Sequence, residues 1–271
     1  MKLAKGTIFF PENRKTGRVK YMAFVAHAGD AEMMAIDGIC RGYRARKYPF
    51  SCIVTCNDND LFEGKENIEA LKETRMNEQK AASELGRYNS CFFLNYDASQ
   101  VKDPCDEEIV KEIAHIIKYL KPRVIYTHSL LDRDFTNVAV AIKVIYAIRS
   151  INRGAQPKVI YGCEHSRDLD WINKNKVVEF NNSKNIRFQR KLVACFETKG
   201  DSKRPLPKAV IARRVANATF SEKGDNSFRL VSRAINMTNV ARNSNLPVRK
   251  FAMSFVDDLY GDILEGLERN L

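Results

Sequence analysis

The segment from Val19 to Glu32, VKYMAFVAHAGDAE, runs as an apolar strand into His27, with Asp30 three residues on and a helical pattern behind it. A neutral imidazole nitrogen and a carboxylate oxygen are two of the three protein ligands of a typical hydrolytic zinc site. Open α/β sheets take ligands outside the carboxyl ends of their strands, which is where this pair falls. Either residue alone has an ordinary explanation, the histidine as a hydrogen-bonded structural group and the aspartate as a helix N-cap. Together they mark the turn as the first place to look for metal chemistry.

The elements that must position this turn are legible from periodicity. Short apolar runs at 19–26, 50–55, 91–96, 122–128 and 157–163 alternate with longer helical patterns. That rhythm predicts βαβ units and a mostly parallel sheet covered on both faces. The helix after the first strand carries Met33, Met34, Ile36 and Ile39. The next, from about Asn67 to Leu85, is expected to end at Gly86 as a left-handed cap. Ile109, Ile113, Ile116, Ile117 and Leu120 form a core-facing stripe, and the apolar residues between Asn137 and Ile151 are dense enough to predict a helix buried on most sides. Beyond Trp171 the pattern changes to a short strand, VVEF, helices around 183–197 and 206–220, and a terminal helix from about Val248. In that last helix Phe251, Phe255, Leu259 and Ile263 recur every four residues and predict one packed face. The polar stretches 199–207 and 221–228 read as loops.

With 271 residues, the chain is long enough for one α/β domain with a sizeable core. We expect a Rossmann-like core over 1–165 and a helical elaboration over 166–271, within one domain spanning 1–271. No run approaches the roughly 18 to 20 apolar residues of a membrane helix, and the first residues lack the apolar core of a signal peptide, so a cytoplasmic protein is expected. Seven cysteines without a CxxC pair fit free thiols in a reducing compartment. The net charge of +12 raises the question of nucleic acid. The basic residues are scattered, however, and their two dense runs, 185–191 and 211–214, sit in helical patterns without a recognisable nucleic-acid motif, so nucleic acid is not the expected partner. Asn57-Asp58-Asn59-Asp60 has the look of a calcium loop, but no glycine or glutamate stands in register, and it reads as a polar loop. No GxGxxG, Walker or GxSxG sequence is present.

Five stretches together resemble the PIG-L/LmbE family of metal-dependent N-deacetylases. Ala26-His27-Ala28-Gly29-Asp30-Ala31-Glu32 is similar to the family's AHPDDxE, TRMNEQKAASELG (74–86) to its RxxExxxAxxxLG helix, and YTHSLLDRDFTNVAVAI (126–142) to its second motif, THxxxDxHxxHVAVA. CEHSRDLDW (163–171) and the helix around Arg213 to Thr219 also look familial. The resemblance implies a Rossmann-like α/β three-layer sandwich with extra C-terminal helices. It also implies a hydrolase that removes an N-acetyl group from an amino-sugar conjugate of the N-acetylglucosamine type, with small-molecule substrates as partners. Zinc, or another divalent metal, would be held by His27, Asp30 and the position of Asn137, lowering the pKa of a water whose proton a neighbouring carboxylate takes.

Three positions depart from that pattern. The family's base aspartate falls at Gly29, its oxyanion-stabilising histidine at Asp134, and its third metal ligand at Asn137, whose amide is a weak zinc ligand. Asp134 could enter the metal shell or act as the base, or His128 or His165 could reach the metal. Asp132 would serve the reaction by orienting loop groups, Arg75, beside Glu78, would contact substrate together with His128 and His165, and Glu32, in the first turn of its helix, would support the site. The alternative reading is a catalytically impaired homologue that binds a sugar or an anionic ligand. The oligomeric state, a homo-oligomer included, is left open.

Overall fold

The computed structural model describes residues 1–13, 17–45, 50–62, 64–199, 205–221 and 229–271. Its strands are β1 (Thr7–Phe9), β2 (Tyr21–Val25), β3 (Phe50–Cys56), β4 (Ser90–Tyr96), β5 (Val124–His128), β6 (Val159–Cys163), β7 (Val177–Asn181) and β8 (Val231–Asn236). The α-helices are α1 (Asp30–Met34), α2 (Ile36–Arg44), α3 (Ile68–Leu85), α4 (Ala98–Lys102), α5 (Glu108–Leu120), α6 (Phe135–Arg149), α7 (Ile186–Ala194), α8 (Leu206–Thr219), α9 (Thr238–Arg242) and α10 (Val248–Glu268).

All eight strands join one mixed sheet in the order β1-β4-β3-β2-β5-β6-β8-β7. The centre, β4-β3-β2-β5-β6, is parallel, while β1, β8 and β7 pair antiparallel. Alternation along β2 shows how two cores arise from one strand. Met22 and Phe24 enter one apolar cluster with α5, α6 and α9, and Tyr21, Ala23 and Val25 enter the other with α1 and α2. The three-layer α/β sandwich is therefore present. β2 has β3 on one side and β5 on the other, so the chain reverses its direction of winding between β2 and β5. A crevice for ligands opens at the carboxyl ends of strands flanking such a point.

Several local expectations need amendment. The helix after β2 is broken at Ala35 (φ −101°, ψ 24°) into α1 and α2. The buried Arg214 of α8 donates through Nη2 to the carbonyls of Glu32 and Met33, both at 2.9 Å, satisfying groups that a continuous helix would have used. Gly86 is right-handed (φ −75°), and the positive φ falls on Arg87. What Gly86 supplies is space, because a Cβ there would stand 2.3 Å from Tyr88 Cε1. Beyond 165 the expected strand VVEF is present as β7, and β8, which was not expected, joins it in the sheet. On α10 the packed face ends early: Phe255 is buried, Leu259 half-buried and Ile263 exposed. Helix α6 is largely buried, as its composition predicts. All seven cysteines are free. Most of the loops expected at 199–207 and 221–228 lies outside the described residues.

Candidate active site

Two strand ends build the site. β2 runs out into Ala26 and His27, and Gly29, at φ +88°, turns the chain so that α1 begins at Asp30. The Asp30 carboxylate folds back to accept the His27 amide at 2.8 Å. β5 ends in His128, whose Nε2 accepts the Ala26 N–H at 2.9 Å. That bond fixes His128 as a neutral ring with its proton on Nδ1, in keeping with burial, which lowers its pKa. Only Nδ1, buried and without a hydrogen-bond partner, is left to meet a ligand.

Asp30 is the hub. Its Oδ2 lies 3.5 Å from His128 Nε2 and 3.8 Å from His27 Nδ1, and its Oδ1 lies 3.2 Å from His165 Nε2. The ammonium of Lys199 reaches the same Oδ1 as a short ion pair. Burial pushes the Asp30 carboxyl up, but Lys199, followed by His165 and His128, outweighs it and holds the group well below its ordinary value. For His27 burial acts downward, and Asp60, Asp30 and Asp58 overcome it, so its pKa is raised. Asp60 Oδ1 stands 3.4 Å from His27 Nε2. Asp58 is buried, and that burial raises its carboxyl.

The second wall is the turn from β5 into α6. Asp134 is the N-cap of α6: its Oδ1 accepts the amides of Thr136 at 2.8 Å and Asn137 at 3.3 Å. Asp132 accepts the Asp134 amide at 3.1 Å and the Ser166 amide at 3.3 Å, so it ties this turn to the β6 turn. Asn137 points its amide nitrogen at Asp132 Oδ2 (3.4 Å) and His165 Nδ1 (3.2 Å), leaving its buried Oδ1 without a partner. Among the described residues, His128, Asp132 and His165 form the grouping of three donor side chains within 4.8 Å of one another that could hold a metal ion. The structure thus gathers His27, Asp30, His128, Asp132, Asn137 and His165 at one sheet edge, with Asp134 alongside as a cap.

Arg75 and Glu78, on buried turns of α3, do not face this cluster directly. Arg75 donates to Thr198 Oγ1 at 2.7 Å and to the Thr198 carbonyl at 3.1 Å, while Glu78 accepts the Thr198 amide at 2.8 Å. They clamp the short turn Glu197–Lys199 that delivers Lys199 to Asp30. Glu32 is fully buried and accepts Gln79 Nε2 at 2.9 Å and Tyr88 OH at 2.7 Å. Gln79 in turn accepts the Gly29 amide at 2.9 Å, so Glu32 acts by pinning the turn that carries His27 and Asp30. A Cβ at Gly29 would stand 2.9 Å from Phe196 Cδ1 and 3.1 Å from Lys199 Cδ: the space for a base at this position is filled by the other wall.

Sequence reasoning did not single out Lys199 or Gln79, and it set Asp58 and Asp60 aside as part of a polar loop. A signal for the aspartates existed, because the polar run 57–60 follows β3 and so opens on the same sheet edge as His27. Lys199 had none, since it lies far along the chain in a polar stretch.

Residues 22–146 match the model of the PIG-L family, described as GlcNAc-PI de-N-acetylase. No curated protein matches the chain. Among solved structures it is similar to the conserved protein TT1542 from Thermus thermophilus, at 16% identity and TM-score 0.61 over 85% of this chain and 96% of that one. It is also similar to N,N'-diacetylchitobiose deacetylase from Pyrococcus horikoshii, at 12% identity and TM-score 0.62 over 82% and 84%. A third is GalB, the 4-carboxy-2-hydroxymuconate hydratase from Pseudomonas putida, at 15% identity and TM-score 0.60 over 80% and 96%. Identities this low establish a shared fold, and the names attached to it span a deacetylase and a hydratase. Among the described residues, no helix is long and apolar enough to cross a membrane.

Proposed function

We propose that the chain is a metal-dependent hydrolase of the deacetylase type, acting on an N-acetylated amino-sugar conjugate. The observation that carries this reading is that three atoms able to offer a lone pair, His27 Nε2, His165 Nε2 and Asn137 Oδ1, are buried around Asp30 without a hydrogen-bond partner. Buried polar atoms are normally paired, and three such atoms in one cluster at the switch-point crevice fit a cation better than they fit a structural network. His27 and Asp30 would hold zinc, with His165 or the Asn137 oxygen completing the set; the metal, when bound, supplies an activated water and polarises the acyl carbonyl. Asp58, Asp60 and Asp132 are the nearby carboxylates able to take a proton in place of the residue that Gly29 lacks. Arg133 and Arg213 line a cavity of about 240 Å³ that borders the cluster at His165 and would receive the conjugate.

The test is release of free amine from N-acetylglucosamine conjugates, with metal content measured in parallel. Zinc near one equivalent and turnover abolished by Asp30→Ala support the reading. Protein that takes up no zinc and shows no turnover rules it out.

One observation favours the second reading, a binding protein that has lost catalysis. Lys199 places a positive charge on Asp30, and with Phe196 it fills the space beside Gly29. A lysine ammonium there competes with any metal for the carboxylate. Lys199→Ala separates the two readings: the hydrolase gains metal affinity and keeps turnover, whereas the binding protein gains metal without gaining turnover. Restoration through Gly29→Asp also requires a smaller residue at Phe196.

A further inference from the structure

Helix α10 carries two apolar stripes, and the fold uses one. Val248, Phe251, Ala252 and Phe255 pack on the core. The second stripe comprises Met253, Val256, Tyr260, Ile263 and Leu267, which are 45%, 42%, 69%, 54% and 51% exposed. At about 100° per residue it lies roughly 110° around the helix from the first. Its spacing of three and four residues in alternation is the a/d pattern by which helices pack side by side, and Leu264, 40% exposed, widens it. From Tyr260 onward every residue of the helix is exposed. That stretch includes Gly261 and Gly266, each with open space where a Cβ would stand. Glycine weakens a helix interior, and most helical stability in proteins comes from packing of an apolar face. Among the described residues nothing covers these last three turns.

We infer that the exposed stripe of α10 is a homodimer interface, in which two copies of the chain pair their α10 helices antiparallel around Tyr260. Charge selects the partner and the direction. Arg249 and Lys250 stand in the first turn, whereas Asp257, Asp262 and Glu268 follow further along; Asp258 is paired with Lys176 and Glu265 with Arg269 in the same chain. A parallel pair would set carboxylates against carboxylates. An antiparallel pair lays the basic start of each helix beside the acidic end of the other, Met253 beside Leu267 and Tyr260 beside its own copy. A twofold contact of this kind is self-complementary and closes at two subunits.

The experiment is light scattering coupled to size exclusion on the full chain across roughly 1 to 100 µM, beside Ile263→Glu/Leu267→Glu and the control Glu73→Lys on the exposed surface of α3. The expected result is a dimer for the native chain and the control, and a monomer for the double variant with unchanged circular dichroism over the α/β body. A native chain that stays monomeric throughout, or a double variant that dimerises as the native chain does, overturns the interface. Direction is read separately by mixing Met253→Cys with Leu267→Cys chains under oxidant in a Cys105→Ser background. Antiparallel pairing gives the mixed disulfide; disulfides formed only within each single-variant population overturn the antiparallel arrangement.

Discussion

Two buried carboxylates from neighbouring helices, Asp30 and Asp37, have opposite surroundings. Asp37, in the first turn of α2, accepts Tyr126 OH at 2.7 Å and Arg41 Nε at 2.9 Å on both oxygens, with the cavity around it lined by the strand starts Val124 and Val159. Its partners are aligned. At the other end of the sheet Asp30 has a lysine and three imidazoles within 3.8 Å, yet one nitrogen of each of His27, His128 and His165 is buried without a hydrogen-bond partner. A fully satisfied polar network holds a fold in register, whereas a partly satisfied one is costly unless something else completes it. The contrast teaches that burial of charge does not mark a site; burial of charge with donors left over does.

The largest expected effect comes from exchanging the two roles. Asp30→Ala should abolish zinc uptake and lower turnover by more than about 100-fold, since changing only the outer partners of metal ligands costs 10- to 100-fold. Asp37→Ala should leave both unchanged and cost about 2 kcal/mol of stability, because Tyr126 OH is left buried without its acceptor. Metal analysis and denaturant unfolding of both variants check this, and a stable Asp37→Ala protein without metal would erase the distinction. Glu164 sharpens it. It lines the cavity beside His165, and burial pushes its carboxyl up to about 7. A folded pKa above the unfolded one means that the folded state binds more protons between about 4.5 and 7, so this group's contribution to stability falls as pH rises through that window. The full displacement corresponds to roughly 3 kcal/mol. Unfolding free energies at pH 5 and pH 8 should differ by less in Glu164→Gln than in the native chain, and an identical pH dependence in both would place the titration elsewhere.

The parts of this arrangement that were legible in the sequence are those with a local period. β2, β3, β4, β5 and β6 lie where apolar runs end at turns, and the first motif puts His27 and Asp30 at a strand end because a strand followed by a helix leaves no other course. β1 and β8 were not foreseen: Thr7–Phe9 is three residues long, and Val231–Asn236 interrupts its apolar residues with Ser232 and Arg233. Arg233 is buried there because Glu179 on the paired strand and the Asn217 carbonyl receive it, a fact of tertiary pairing that no window of sequence contains. The same holds for the site. His128 and His165 were legible as candidates at strand ends, but their division of labour depends on the Ala26 amide and on Asn137. Lys199 enters only through the clamp of Arg75 and Glu78 on Thr198, with more than a hundred residues between.

The smallest expected effect concerns Asp134, the residue for which a base or ligand role was open. Its Oδ1 is committed to two amides at the start of α6, and it holds Asn137 in place through the second of them. Loss of an N-cap costs about 1 kcal/mol. Asp134→Ala should therefore lower stability by about that amount and leave zinc uptake intact, with Asp134→Ser restoring most of the loss because a hydroxyl caps nearly as well. Turnover should fall no more than a few-fold, through looser placement of Asn137. If Asp134→Ser is as inactive as Asp30→Ala while its melting temperature is native, the carboxylate acts in the reaction itself, and the turn before α6 belongs with the reactive edge of the sheet, not with its supporting frame.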